Sequence, residues 1–435
     1  MSVYYVDTAV GNDGNAGTSE GSGNAWATID HAMNTVAAGD KVWVKASGNY
    51  NELATIDTAG TQTSPIVFEG YTSTTGDGGV ATISGQSSRA NCIVDNIAAN
   101  TNIFYCFKNF LCTLATGDGV NTDCLSITWK NCSFSGNGTT SGDGYQGSGQ
   151  FENCKFDDNS ARGYNGDRSN TVLIGCRAYR NGTDGFAQTI GALIAFACEA
   201  FSNGSVGFLG GQGNNQPCIL INCTVDGDAK DTTDGLKVNT AFRQINAVVN
   251  CVFYDCTVGV TGANQDEVVI SRNNLVNSNT TAYSGFSTFT GEVTSAPAFN
   301  NEGANDYTPG SGSPLIAAGY DGATLEGFTP YMDIGAIQSA GAGSCDYPAA
   351  ADVESGVVYA SGAMTGTFTA PAVGDVESGV QYGGGGTEFT GTFGVPSQSD
   401  VMVGVQYGAG GTEFTGTLAG GGSGGQFGIR SGGSL

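Results

Sequence analysis

Cations are scarce in this 435-residue chain, which has 15 Lys and Arg and a single histidine against 40 Asp and Glu. The formal charge is therefore −25. Nucleic acid is excluded as a partner, because phosphate recognition needs basic patches and these cations are scattered. Anionic membranes are excluded on the same ground. No apolar run reaches the roughly 18 residues of a membrane span. The N-terminal residues Met1 to Asp7 have neither a charged start nor an apolar stretch, so no secretory signal is visible. A virion or extracellular surface is the expected setting, reached without Sec export or by a chain that begins at a mature boundary. One histidine forms no metal cluster and no Ser–His pair, so His31 is read as surface or cap packing.

Glycine and cysteine are plentiful, at 71 and 13 residues. Glycine at this level without a collagen period fits a turn-dense all-β chain. Cys132, Cys154, Cys176 and Cys198 stand 22 residues apart, and Asn137, Asn159, Asn181 and Asn203 keep the same step. The chain thus returns to one geometric position every 22 residues, which is a solenoid of coiled strands. Around each Cys the pattern alternates, as in Asn-Cys-Lys-Phe (153–156): Cys and Phe point inward, Lys155, Arg177 and Glu199 outward. Cys92 and Cys112 are expected to extend the column upstream at steps of 20. Downstream the steps lengthen to 25 and 28, and the larger insertion is expected around Asp226–Thr233. A second apolar column runs through Tyr164, Phe186, Phe208, Leu236 and Val260. The recurring Asn is expected in a left-handed turn conformation, its amide bonded to the next coil.

The odd cysteine number and the inward column argue for reduced packing thiols rather than a disulfide framework. Cys218/Cys223 and Cys106/Cys112 stay open as local bridges. Coils of this length resemble the right-handed parallel β-helix of the pectin-lyase-like superfamily, over roughly residues 1–340. The fold expected is all-β: that solenoid with an N-terminal helical cap, followed by β-hairpin repeats.

Residues 1–52 read as cap and first coil, with Thr28 capping a short helix that turns Ile29, Ala32, Met33 and Val36 to one side. Coils fill 53–294. Residues 295–342, with Ala296-Pro297-Ala298-Phe299-Asn300 and Asp333-Ile334-Gly335-Ala336, resemble the closing segment of phage and environmental bacterial β-helix proteins and are expected to cap the far end. A second repeat occupies 343–419: Asp352 to Tyr359 recurs at Asp375 to Tyr382 and Asp400 to Tyr407, each followed by Thr-Gly-Thr-Phe/Leu. Each copy reads as a hairpin. Such hairpins are marginal alone, so 345–435 is the expected route to a homo-oligomer (a trimer favoured) or to other virion proteins. Similar repeats occur in phage structural proteins. The tail 420–435 is Gly-rich.

Cys176 to Phe186 resembles a coil of calcium-dependent polysaccharide lyases, in which an Asp-Asp-Gly-aromatic-Asp run binds Ca²⁺ and a neighbouring Lys or Arg removes the α-proton. Only Asp184 matches; Thr183 and Ala187 stand at the other acidic positions. Asp231, Asp234 and Lys237 form a similar run two coils on. One carboxylate is too few for a hard cation, so Ca²⁺ enters only with the lyase reading and no other cofactor is implied. The same charges also align as cross-coil pairs: Lys130 over Glu152, Asp158 over Arg180, Arg162 over Asp184, Arg177 over Glu199. Outward-facing Tyr179, Phe201 and Tyr254 are candidates for glycan or subunit contact. The leading expectation is a structural virion or surface protein, tailspike-like or a capsid decoration, whose body contacts a polysaccharide. The alternatives are a lyase or glycosidase acting on acidic polysaccharide, and a bacterial filament or adhesin subunit.

Overall fold

The computed structural model describes residues 1–210, 216–227, 233–238, 245–262, 268–285, 291–319 and 333–338, with shorter stretches between 358 and 418. The chain divides into two compact units, Met1–Gly343 and Ser344–Leu435.

The first unit is a right-handed parallel β-helix of three sheets. Sheet I has 11 strands, from Val3–Asp7 to Val268–Arg272. Sheet II has ten, from Asn49–Tyr50 to Leu275–Asn277. Sheet III has ten, from Ala54–Ile56 to Thr281–Ser284. The strand Val3–Asp7 already pairs in register with Lys41–Lys45, so the solenoid proper begins inside the segment expected to be a cap. Helix Ile29–Thr35 replaces strands in that first turn. The Thr28 side chain accepts from His31 N at 3.1 Å, and both Glu52 carboxylate oxygens accept from Ile29 N and Asp30 N. Buried Ile29, Ala32 and Met33 pack the helix on Ala54–Ile56, the end strand of sheet III. That placement shields an edge that would otherwise offer unpaired backbone groups. His31 sits edge-on to Trp26 at 5.2 Å.

The predicted register holds through the centre. Ser133, Lys155, Arg177, Glu199, Thr224 and Val252 stack in turn. The cysteines just before them, Cys132 through Cys251, therefore form an interior file, each at most 2% exposed. They are free thiols, as are Cys106, Cys112 and Cys218; burial pushes Cys154 and Cys198 well up. The upstream extension needs correcting. Cys112 pairs with Phe134, two positions beyond Cys132, and Cys92 adjoins Ile93 on sheet III. The early coils differ in turn length, and equal counts between cysteines hid that offset.

The asparagine reading divides in two. Asn137, Asn159, Asn181 and Asn203 are buried and hydrogen-bond amide to amide at 2.9–3.1 Å. They are not left-handed. That conformation belongs to the residue before each Asn (Gly136, Asp158, Arg180, Ser202) and before each Cys (Asn131, Asn153, Gly175, Ala197, Asn222, Asn250). A buried amide donating along the stack needs an ordinary turn φ, while the neighbouring corner residue takes the strained one.

The described residues after 293 do not close the far end. They fold back against the outside of sheet II. Phe299–Asn301 and Asp306–Pro309 make an antiparallel pair, Arg177 Nη2 donates to Asn305 O at 2.9 Å, and Gly335 N donates to Asn250 O at 2.8 Å. Leu315 and Ile334 form a small second core with Val252 and Leu275. Outward apolar side chains on that sheet supply the driving force, because they would otherwise face water.

In the second unit each repeat makes a two-residue antiparallel pair: Val358–Tyr359 with Met364–Thr365, Gln381–Tyr382 with Phe389–Thr390, and Gln406–Tyr407 with Phe414–Thr415. These are the hairpins read from the repeat.

Candidate functional site on the outer face of sheet III

Just before each short strand of sheet III the chain turns through a polar residue and a glycine. Val120, Tyr145, Tyr164 and Phe186 stack inside. The residues two positions earlier, Asp118, Asp143, Arg162 and Asp184, therefore form one column at the turn, with Asp118 and Arg162 half-exposed and Asp143 and Asp184 buried. One position after the stacked apolar residues, Asn121, Gln146, Asn165 and Ala187 form a second. Stacked coils repeat every ~4.8 Å, so the two columns make a ladder of amides and carboxylates.

The ladder is continuously hydrogen-bonded. Asp118 Oδ1 accepts from Asp143 N at 2.9 Å and its Oδ2 from Asn121 Nδ2 at 2.8 Å. Asn121 also donates to Gln146 Oε1, and Gln146 Nε2 donates to Asp167 Oδ2 at 2.8 Å. Asp143 accepts from Arg162 N at 2.9 Å and from Asn165 Nδ2 at 2.7 Å. Arg168 pairs with Asp123 and lies 3.7 Å from Asp167. Burial, the largest influence on both, raises the carboxyls of Asp118 and Asp143 above the ordinary range, and the neighbouring carboxylates Asp167 and Asp118 respectively add to it. A half-buried and a buried acid on adjacent coils thus hold protons more readily than free aspartates.

The acids singled out from sequence lie on the same face, farther along. Phe186 pairs with Phe208 and Val206 with Asp234, so Asp184 and Asp234 share a column with Val206 between them. Asp184 is taken by Arg162 at 3.1 Å. Asp234 accepts from Thr261 Oγ1 and lies 3.8 Å from Lys237 Nζ. Asp231 lies outside the described residues. Asp184, the one carboxylate that matches the lyase run, is paired with Arg162, and among the described residues no group of three acidic, Cys or His side chains is placed to hold a metal. The four cross-coil pairs read from the sequence all form.

The aromatic candidates need correction. Tyr179 and Phe201 do stack on the outer side of sheet II, at 4.9 Å and 5°. Phe201, however, is 2% exposed beneath Tyr307, 5.3 Å away, and Phe299 lies 6.0 Å from Tyr254. The returning segment covers the platform, so Phe201 serves intramolecular packing, and Tyr179 and Tyr254 are half-buried at its border. Sequence reasoning missed Asp118, Asp143 and their amide partners. Their spacing of 25 departs from the 22-residue step, and their motifs resemble ordinary turns.

No protein-family model matches the chain, and no curated protein matches it. Among solved structures, pectate lyase Pel9A is similar with a TM-score of 0.50 and 17% identity, covering 78% of this chain and 96% of that one. A rhamnogalacturonan lyase matches at 0.45 and 14%, covering 68% and 85%, and XylC with xylose at 0.40 and 10%, covering 66% and 70%. The pectate lyase match shows a shared parallel β-helix fold.

Proposed function

We propose that this chain is a glycan-binding structural protein of a virion or cell surface, with the outer face of sheet III as its polysaccharide contact. One observation carries the reading: a network of amides and carboxylates spanning three coils, joined to a fourth through Arg162 and Asp184, at a repeat suited to successive hydroxyl-bearing sugar units. Six aspartates surround two arginines there (Asp95, Asp118, Asp123, Asp143, Asp167, Asp184; Arg162, Arg168). That balance repels an anionic polymer and favours a neutral one. The C-terminal hairpins supply attachment: Met402, Val403 and Val405 are 48–67% exposed there, apolar surface that a partner would cover. Affinity electrophoresis against neutral and uronate-containing polysaccharides tests the reading. Retardation by a neutral glycan, lost in Asn121→Ala/Gln146→Ala, is expected; equal mobility in every gel rejects it.

A hydrolytic reading is favoured by the raised carboxyls of Asp118 and Asp143 on consecutive coils, since glycoside cleavage needs one protonated and one ionised carboxyl. Release of reducing ends from the bound glycan, abolished in Asp143→Asn, would establish it. Binding without release leaves the structural reading standing.

A further inference from the structure

The hairpin of Phe299–Asn301 and Asp306–Pro309 is attached to the solenoid differently from the coils beneath it. Among the described residues its strands pair only with each other, so no backbone ladder joins them to sheet II. Side chains hold it there: Tyr307 lies over Phe201, Phe299 stands against Tyr254, and Arg177 Nη2 donates to Asn305 O at 2.9 Å. A unit fixed without a ladder opens more readily than the laddered sheet it covers. Closing it buries a charge. Glu199, between Arg177 and Thr224 in its outer column, is 4% exposed. Arg177 pairs with it, yet its Oε1 meets no hydrogen-bond donor among the described residues. Of the hairpin's two acids, Asp306 faces the Arg177–Glu199 pair and Glu302 lies toward Tyr254.

We propose that Glu199 is a proton-linked latch for this hairpin, which closes more tightly in acid and loosens as pH rises. Arg177 and Glu199 stand on neighbouring strands of one sheet, so their pair persists whether the hairpin is closed or open. What closure adds is the dehydration of Glu199 and a second carboxylate beside it, and both penalise the ionised form. Burial raises the Glu199 carboxyl above its ordinary 4.5, against the pull of Arg177, and Asp306 adds to the rise. Opening returns it toward that value, so the closed form is the one that binds the extra proton. Closure is therefore strongest below 4.5 and weakens with rising pH until Glu199 ionises in the closed form too. Asp306, held below the ordinary range by its bonds to Thr308, stays ionised across this window. The latch lies on sheet II and does not rest on the glycan face of sheet III.

Hydrogen–deuterium exchange on the full chain tests this, read by mass spectrometry over residues 299–309 and corrected for intrinsic exchange from about pH 4 to pH 8. Hairpin protection should fall with rising pH by at most about tenfold per unit, the limit for one proton, and then level off. The strand Glu199–Phe201 should stay better protected throughout. In Glu199→Gln the hairpin's protection should be flat with pH. Should that variant fail to fold by far-UV circular dichroism, Asp306→Asn takes its place. It keeps the Oδ1 acceptor for Thr308 N and should shrink the fall. Wild-type protection that ignores pH, an unchanged fall in the folded variant, or a hairpin that exchanges only together with Glu199–Phe201 overturns the proposal.

Discussion

Replacing Asn159 by alanine probes the interior amide ladder. Its Oδ1 accepts from Asn137 N and Nδ2, both at 3.1 Å, and its Nδ2 donates to Phe134 O and Asn181 Oδ1, both at 3.0 Å. The residue is 2% exposed, so water does not replace these partners. At about 1 kcal/mol net per bond, four bonds amount to ~4 kcal/mol, and orphaned buried groups push the cost upward. Water entering the vacated volume pulls it down. Asn159→Ala should therefore lose about 3–5 kcal/mol in urea unfolding followed by far-UV circular dichroism. Because each coil touches only its neighbours, a fall in cooperativity should accompany the loss. Ser135→Ala is the control. It removes one half-exposed bond to Asp157, 2.9 Å long, and should cost under about 1 kcal/mol. A loss below ~1 kcal/mol for Asn159→Ala, or one equal to the control, refutes the ladder as a source of stability.

Further expectations concern strain, pH, the covering segment and the thiols. Ala197 sits at φ 50 where neighbouring coils place Asn or Gly, so Ala197→Gly should raise stability by about 1 kcal/mol in the same titration; a destabilised variant contradicts the strain. The Asp118 and Asp143 carboxyls are raised by burial, so the folded state binds more protons than the unfolded one above the ordinary aspartate value of 3.8. Their contribution to stability therefore falls as pH rises through that window, and Asp118→Asn should flatten this slope; an unchanged pH profile contradicts it. Tyr307→Ala should expose Phe201 and loosen the covering hairpin, read as faster proteolysis between Phe299 and Pro309; unaltered cleavage counts against that packing. Thiol titration of the native protein should label Cys106, the half-buried one among the described cysteines, ahead of the buried file Cys132–Cys251; simultaneous labelling would show that the file is open to solvent.

Sequence periodicity alone located the solenoid, the thiol file and the four ion pairs, because each depends on equal steps through equal turns. It misplaced Cys92 and Cys112, where unequal turns broke the count. It also identified Tyr179 and Phe201 as outward-facing, which the fold bears out. The cover over Phe201 comes from residues about a hundred positions later, a contact that no local pattern encodes. The polar ladder on sheet III was half legible. Asp184 and Asp234 lie on the same face, but the densest network arises from Asp118, Asn121, Asp143 and Gln146, whose turn chemistry looks unremarkable until stacked.

A crystal structure of the chain with a neutral oligosaccharide tests the central claim most directly. The account predicts sugar along the outer face of sheet III, touching Asn121 and Gln146. Sugar bound instead along sheet I or sheet II would contradict it.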